Sequence, residues 1–137
     1  MRDRIMERIK INEHDFFWIQ DDGILYVKLG SLDVDNKLDD RTAQLYLDAI
    51  TELSKGTPRP LLIDLRGVKG TFLNTAAHLL SKNFENMSFV ISEAYVVNSL
   101  SVKLLVQAYK RIYKTKIPYA IFENVSIAKE YSLSYKN

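Results

Sequence analysis

Hydrophobic positions change their spacing along this chain, and each change marks an element. Phe16, Phe17, Trp18 and Ile19, and then Ile24 to Leu29, are aromatic and aliphatic runs at strand spacing separated by Asp21, Asp22 and Gly23. They predict a β-hairpin, with Gly23 supplying the positive φ that a tight turn demands. Phe16 and Trp18 fall on one face, Phe17 and Ile19 on the other. The period then lengthens. Ala43, Tyr46, Leu47, Ile50 and Leu53 recur at helical spacing behind Asp39 or Asp40 as cap, and Gly56, Pro58 and Pro60 end that helix.

From Arg59 to Gly67 the pattern is nearly continuous. Leu61, Leu62, Ile63 and Leu65 leave no solvent-facing alternation until Asp64 and Arg66, which suits a parallel strand covered on both faces. Past Gly67 a loop through Val68, Lys69 and Gly70 leads to a second helix, capped by Thr71 or Asn74, with the stripe Leu73, Ala76, Ala77, Leu80 and Phe84. Val90 to Val97 predicts another strand. The third helix takes Ser101 as its cap and places Val102, Leu105, Val106, Tyr109 and Ile112 inward, with Lys103, Gln107, Lys110, Arg111 and Lys114 on the opposite face. Pro118 to Phe122 makes a last strand, and Asn124 caps a final helix. Strands alternating with helices after an opening hairpin predict an α/β domain, mostly parallel, with right-handed crossovers and about four flanking helices. Residues 1–14 read as a charged lead-in and 15–137 as a single domain.

Composition narrows the class. A chain of 137 residues can bury a sizeable core, and it has no cysteine, hence no disulfide framework, thiolate nucleophile or cysteine metal site. The first residues lack an apolar signal-peptide core, and no apolar run approaches the ~18 residues of a membrane span. A cytoplasmic protein without a membrane span is the expectation. Net charge is only +2, but it is segregated: residues 13–40 carry eight acids against Lys28 and Lys37, while 94–122 carry five bases and no acid. Two oppositely charged solvated faces account for this, and they would also steer a partner or favour self-association.

Candidate chemistry is sparse. In an open α/β sheet the carboxyl ends of the strands meet ligands and partners, which points to Gly67 through Thr75. Only His14 and His78 are neutral-pH bases, and neither stands in a recognisable constellation. Asp64, near the end of a buried strand, reads as an anchor paired with Arg66, another basic group or loop backbone amides rather than as a general base, since buried charges are normally paired. The segment Asp33 to Lys37 fails as a calcium loop because Lys37 and Leu38 occupy the positions that need an oxygen ligand and glycine. Gly67 to Gly70 lacks phosphate-loop and dinucleotide spacing. No catalytic residue, metal or cofactor is expected.

Leu61 to Gly67, Ala94 to Ser101, and Pro118 to Phe122 before the terminal helix together resemble the small single-domain proteins of the STAS superfamily, the anti-sigma-factor-antagonist-like fold. The similarity spans roughly residues 15–133, and is greatest to a bacterial set common in Bacteroidetes that carries a STAS/SEC14-like label. The resemblance implies a signalling or protein-binding module. In the anti-sigma antagonists a kinase modifies a serine within Asp-Ser-Ser/Thr-Gly at the start of the helix after the strand equivalent to Arg59–Gly67. Here Thr71, Phe72, Leu73, Asn74 and Thr75 occupy that place without the pattern, leaving Thr71 and Thr75 as the hydroxyls available for such regulation.

The function expected is therefore a non-catalytic interaction module with a protein partner. Its partner-facing loops are Gly67, Lys69, Gly70, Thr71, Asn74 and Thr75, together with Asn98, Ser99 and Ser101, where helix amino termini present backbone N–H groups. The alternative is a small apolar ligand or lipid held by Phe72, Phe84, Phe89, Tyr109 and Tyr113. Nucleic-acid binding through the Lys103–Lys116 helix face ranks third, because one basic stripe on a nearly neutral domain is a thin footprint. Edge strands and opposed charges allow a homodimer.

Overall fold

The computed structural model describes residues 5–11, 14–30, 40–68, 89–112 and 116–135. Six strands form one sheet in sequence order: β1 (Ile5–Ile11), β2 (Asp15–Gln20), β3 (Leu25–Gly30), β4 (Arg59–Gly67), β5 (Val90–Val96) and β6 (Tyr119–Phe122). β1, β2 and β3 pair antiparallel, whereas the pairings of β3 with β4, β4 with β5 and β5 with β6 are parallel. Three helices are described: α1 (Asp40–Ser54), α2 (Leu100–Ile112) and α3 (Val125–Leu133). The fold is a mixed α/β sheet with two antiparallel and three parallel pairings.

The hairpin forms as its pattern predicts, with Gly23 at φ 84°. β1 does not follow the prediction: residues 5–11 belong to the charged lead-in, yet they make an edge strand. Ile9 and Ile11 alternate with Arg8 and Lys10, and this period-two spacing turns the apolar pair toward the core. The second predicted helix, with its caps Thr71 and Asn74, lies outside the described residues, as do Asp33 to Lys37, Asp39 and His78.

α1 and α2 lie on one face of the sheet, where right-handed crossovers between parallel neighbours would put them. The larger core lies there, with Tyr46, Ala49, Ile50 and Leu53 of α1 and Val102 and Val106 of α2 packed on Phe17, Val27, Leu61, Ile63 and Tyr95. α1 ends where Lys55 and Gly56 adopt left-handed backbone, at φ 52° and 77°. After β6 the chain folds α3 back over the other face, where Ala128 joins Ile24, Tyr26, Leu62, Ala94 and Val96 in a smaller core. Asn124 caps α3 as expected, its Oδ1 accepting from the Ser126 and Ile127 amides at 2.7 and 3.2 Å. Among the described residues no helix is long and apolar enough to cross a membrane.

Two details of α2 correct the sequence prediction. Ser99, not Ser101, is the cap: its Oγ accepts from the Val102 amide at 3.3 Å, and its carbonyl accepts from the Lys103 amide at 3.1 Å. Lys110 is not on the solvent face. It continues the Val102, Val106 stripe by one more i+4 step and is buried against β5, so the basic stripe of α2 loses a member.

Candidate functional site

Parallel pairing of β4 with β5 puts Asp64 opposite Val96 and brings the carboxyl ends of the two strands side by side. β4 ends at the exposed pair Arg66 and Gly67, and the Val68 amide turns back to the Leu65 carbonyl at 3.1 Å. β5 runs into Val97, whose amide donates to the Phe122 carbonyl at 2.9 Å, and then into Asn98 and Ser99, both exposed. Of the residues expected to face a partner, Gly67, Asn98, Ser99 and Ser101 therefore lie at one end of the sheet. Lys69, Gly70, Thr71, Asn74 and Thr75 lie outside the described residues.

Asp64 is held by one neighbour. Its Oδ1 accepts from the Arg66 amide at 3.0 Å and from Arg66 Nε at 2.9 Å, and its Oδ2 accepts from Arg66 Nη2 at 2.8 Å. Burial pushes the carboxyl up, but these bonds and the Arg66 charge, with Lys28 beside them, outweigh burial and hold it below the ordinary carboxylate value. The same pairing raises the Arg66 guanidinium. A carboxylate so occupied stays ionised and positions the β4 exit, and it is a poor proton acceptor at neutral pH.

The amino terminus of α2 supplies the apolar part of the surface. The Ser99 and Ser101 hydroxyls lie 3.3 Å apart, and the first turn of the helix has no acid. Leu100 and Leu104, one turn apart on the same face, are 68% and 53% exposed.

Three features escaped the sequence reading. Asp15 is fully buried at the start of β2, and its carboxylate accepts from the Gly30 amide at 2.9 Å and from the Tyr46 hydroxyl. His14 Nδ1 lies 3.2 Å from the same carboxylate. Asp15 thereby ties β2 to β3 and α1 near the carboxyl end of the sheet. The second feature is Glu93 on β5, which accepts from Lys110 of α2 and, at 3.1 Å, from the Tyr95 hydroxyl. The Tyr95, Tyr109 and Tyr119 rings surround the ammonium at 6.0, 5.5 and 5.1 Å from their centroids. Burial, followed by the Glu93 charge, pushes the Tyr95 phenol well above its ordinary range. The only hint of this pair in the sequence is the helical spacing of Lys110 from Val102.

The third is the company kept by the hairpin aromatics. In sequence Phe16 and Trp18 stand among acids, but in the sheet their cross-strand partners are Lys10 and Lys28 for Phe16, and Arg8 and Tyr26 for Trp18. Trp18 stacks on Tyr26 with ring centroids 5.2 Å apart and planes 4° from parallel.

Two open grooves lie away from the strand ends. One, of about 350 Å³, is lined by Glu7, Gln20, Asp21, Leu53, Lys55 and Arg59 near the β2–β3 turn. The other, of about 330 Å³, lies between β1 and α1 and is lined by Ile9, Ile11, Leu45, Asp48 and Glu52. Neither is lined by Phe89 or Tyr109, the described members of the apolar-ligand set, and Phe72, Phe84 and Tyr113 lie outside the described residues. Among the described residues no three His, Asp or Glu side chains gather as a metal site.

Comparison with curated proteins and with solved structures gave no match. A family model does match, over residues 17–136, which runs from β2 through α3, and its description is a domain of unknown function (DUF7793). The chain belongs to that family.

Proposed function

We propose that this chain is a non-catalytic protein-interaction or regulatory module of STAS-like type, meeting its partner at the carboxyl ends of β4 and β5 and the first turns of α2. The observation that carries this reading is the exposure of Leu100 and Leu104 beside Asn98, Ser99 and Ser101. Large apolar side chains grouped on one helix face mark a contact surface more often than scattered ones do. Here they stand at the end of the sheet where α/β folds carry their functional loops. The polar groups beside them, the Ser99 and Ser101 hydroxyls, suit the polar rim of an interface. An opening antiparallel hairpin followed by strands added in parallel, one crossover at a time, supports the STAS-like resemblance.

The test is affinity capture with cross-linking from source cells, using the native chain, Leu100→Glu with Leu104→Glu, and Ile127→Glu on exposed α3 surface as control. The proposal expects proteins captured reproducibly by the native chain to be lost with the double variant and kept with the control. Retention of all of them by a folded double variant would refute it.

A further inference from the structure

α3 packs over β4, β5 and β6 and reaches the β2–β3 turn, where Lys129 lies 3.6 Å from Asp22, the carboxylate that accepts from the Tyr26 hydroxyl, and it leaves Arg8, Lys10 and Lys28 exposed. Directly paired residues in a sheet point to the same side, so the register sets two rows across one face of the sheet. One row is Arg8, Trp18, Tyr26 and Leu62; the other is Lys10, Phe16, Lys28 and Asp64, with Arg66 two residues further along β4. Tyr26 and Leu62 belong to the smaller core, which identifies the face as that of α3.

Phe16 and Trp18 each have a cation as a cross-strand partner. Phe16 is flanked by Lys10 and Lys28, and the Arg8 guanidinium lies 5.7 Å from its ring centroid. Trp18 is half-buried, backed by Tyr26, and anchored by its Nε1, which donates to Gln20 Oε1 at 3.0 Å. The one carboxylate in the rows, Asp64, is already held by Arg66. Phe16 and Trp18, two residues apart on β2, are spaced about 7 Å along the strand.

We infer that the β1–β3 part of this sheet face binds single-stranded nucleic acid, with Arg8, Lys10 and Lys28 meeting phosphates and Phe16 and Trp18 offering surfaces for two bases. Alternating rings and cations are what a sequence-tolerant single-strand platform requires: rings stack on the π-face of any base, and cations follow the backbone. Charge complementarity selects a polyanion, and the rings select unstacked bases over a duplex, whose bases are hidden. The surface is distinct from the Leu100 and Leu104 region and from the basic side chains of α2.

The test is fluorescence anisotropy with the full chain and labelled oligo(dT) or oligo(U) of about 12 nucleotides, against a duplex of equal length, over roughly 50 to 200 mM salt. Single strands are expected to bind in preference to duplex, with a log–log salt slope of about −2 from three phosphate contacts. Lys10→Gln with Lys28→Gln should make the slope shallower by about 1.4. Phe16→Ala should weaken binding roughly tenfold through the lost stacking surface. Lys103→Gln with Arg111→Gln on α2 should leave binding unchanged. The inference is overturned if no single strand binds at the lowest salt, if duplex binds as well, if the β-face variants bind like the native chain, or if the α2 variant loses binding. Preferential flotation with phosphatidylserine vesicles over oligonucleotide capture would also overturn it, because a lipid surface would then be the occupant.

Discussion

Lys110 of α2 donates to the carboxylate of Glu93 on β5, and both side chains are almost wholly withdrawn from water, at 7% and 2% residue exposure. A helix chosen for its apolar stripe is thus pinned to the sheet by an ion pair within a ring of tyrosines. Removing one partner leaves the other charged and buried. Lys110→Met is expected to lower unfolding free energy by about 3–5 kcal/mol, whereas Glu93→Leu combined with Lys110→Met should recover most of that loss. Urea denaturation of the two singles and the double gives the cycle. Additive losses would mean that the pair is not coupled.

Asp64 and Arg66 make a different prediction, about acid. The folded state holds the Asp64 carboxyl below its ordinary value, so the pairing stabilises the fold above the unfolded-state value of about pH 4. That contribution fades as pH falls below about 4 through the lowered folded-state value, because protonation then binds the unfolded chain first. Asp64→Asn is expected to cost about 1–2 kcal/mol at neutral pH and to flatten the decline in stability between about pH 4 and 2. Chemical denaturation across that range checks both. An unchanged acid slope in the variant would remove Asp64 as its cause.

The cap of α2 can be checked by a pair of alanines. Ser99→Ala removes the acceptor of the Val102 amide and should cost about 1 kcal/mol. Ser101→Ala, within the first turn and exposed, should change stability by less than about 0.5 kcal/mol. Equal effects in thermal melts would contradict the assignment of Ser99 as cap.

Gly30 and Gly67 pair across β3 and β4, but only one of them lacks room for a side chain. A Cβ on Gly30 would sit 3.0 Å from the His14 carbonyl oxygen, a backbone atom that cannot swing away. On Gly67 it would meet the Leu29 carbonyl oxygen at 3.5 Å, an ordinary contact. Gly30→Ala should therefore cost about 1–3 kcal/mol, and Gly67→Ala should be neutral or slightly stabilising. Denaturation midpoints separate the two. The comparison also tests whether Asp15, which accepts from the Gly30 amide, holds these strands in close approach.

The legible parts of this molecule are those in which a residue's neighbours in space are its neighbours along the chain. Gly23 in its turn, Asn124 capping α3, the buried run Leu61 to Leu65 and the inward stripe Tyr46, Ile50 and Leu53 follow from φ preference, capping chemistry and hydrophobic period, all local. The site was less legible. The strand-end residues Gly67, Asn98, Ser99 and Ser101 could be placed from the element order, but the sequence put the cap of α2 at Ser101, and only hydrogen-bond geometry moves it to Ser99.

By itself the sequence determined an α/β arrangement with its hairpin, the inward face of α1 and the end of the sheet where loops gather. Tertiary structure alone decided that residues 5–11 close the sheet edge, that Lys110 turns inward to Glu93, and that Phe16 and Trp18, surrounded by acids along the chain, stand among cations in space. The reason is register: strand pairing joins residues from four to 37 positions apart, and a one-residue slip would move every side chain to the other face. No local pattern carries that information, so the chemical character of the hairpin face emerges only once β1, β2 and β3 are paired.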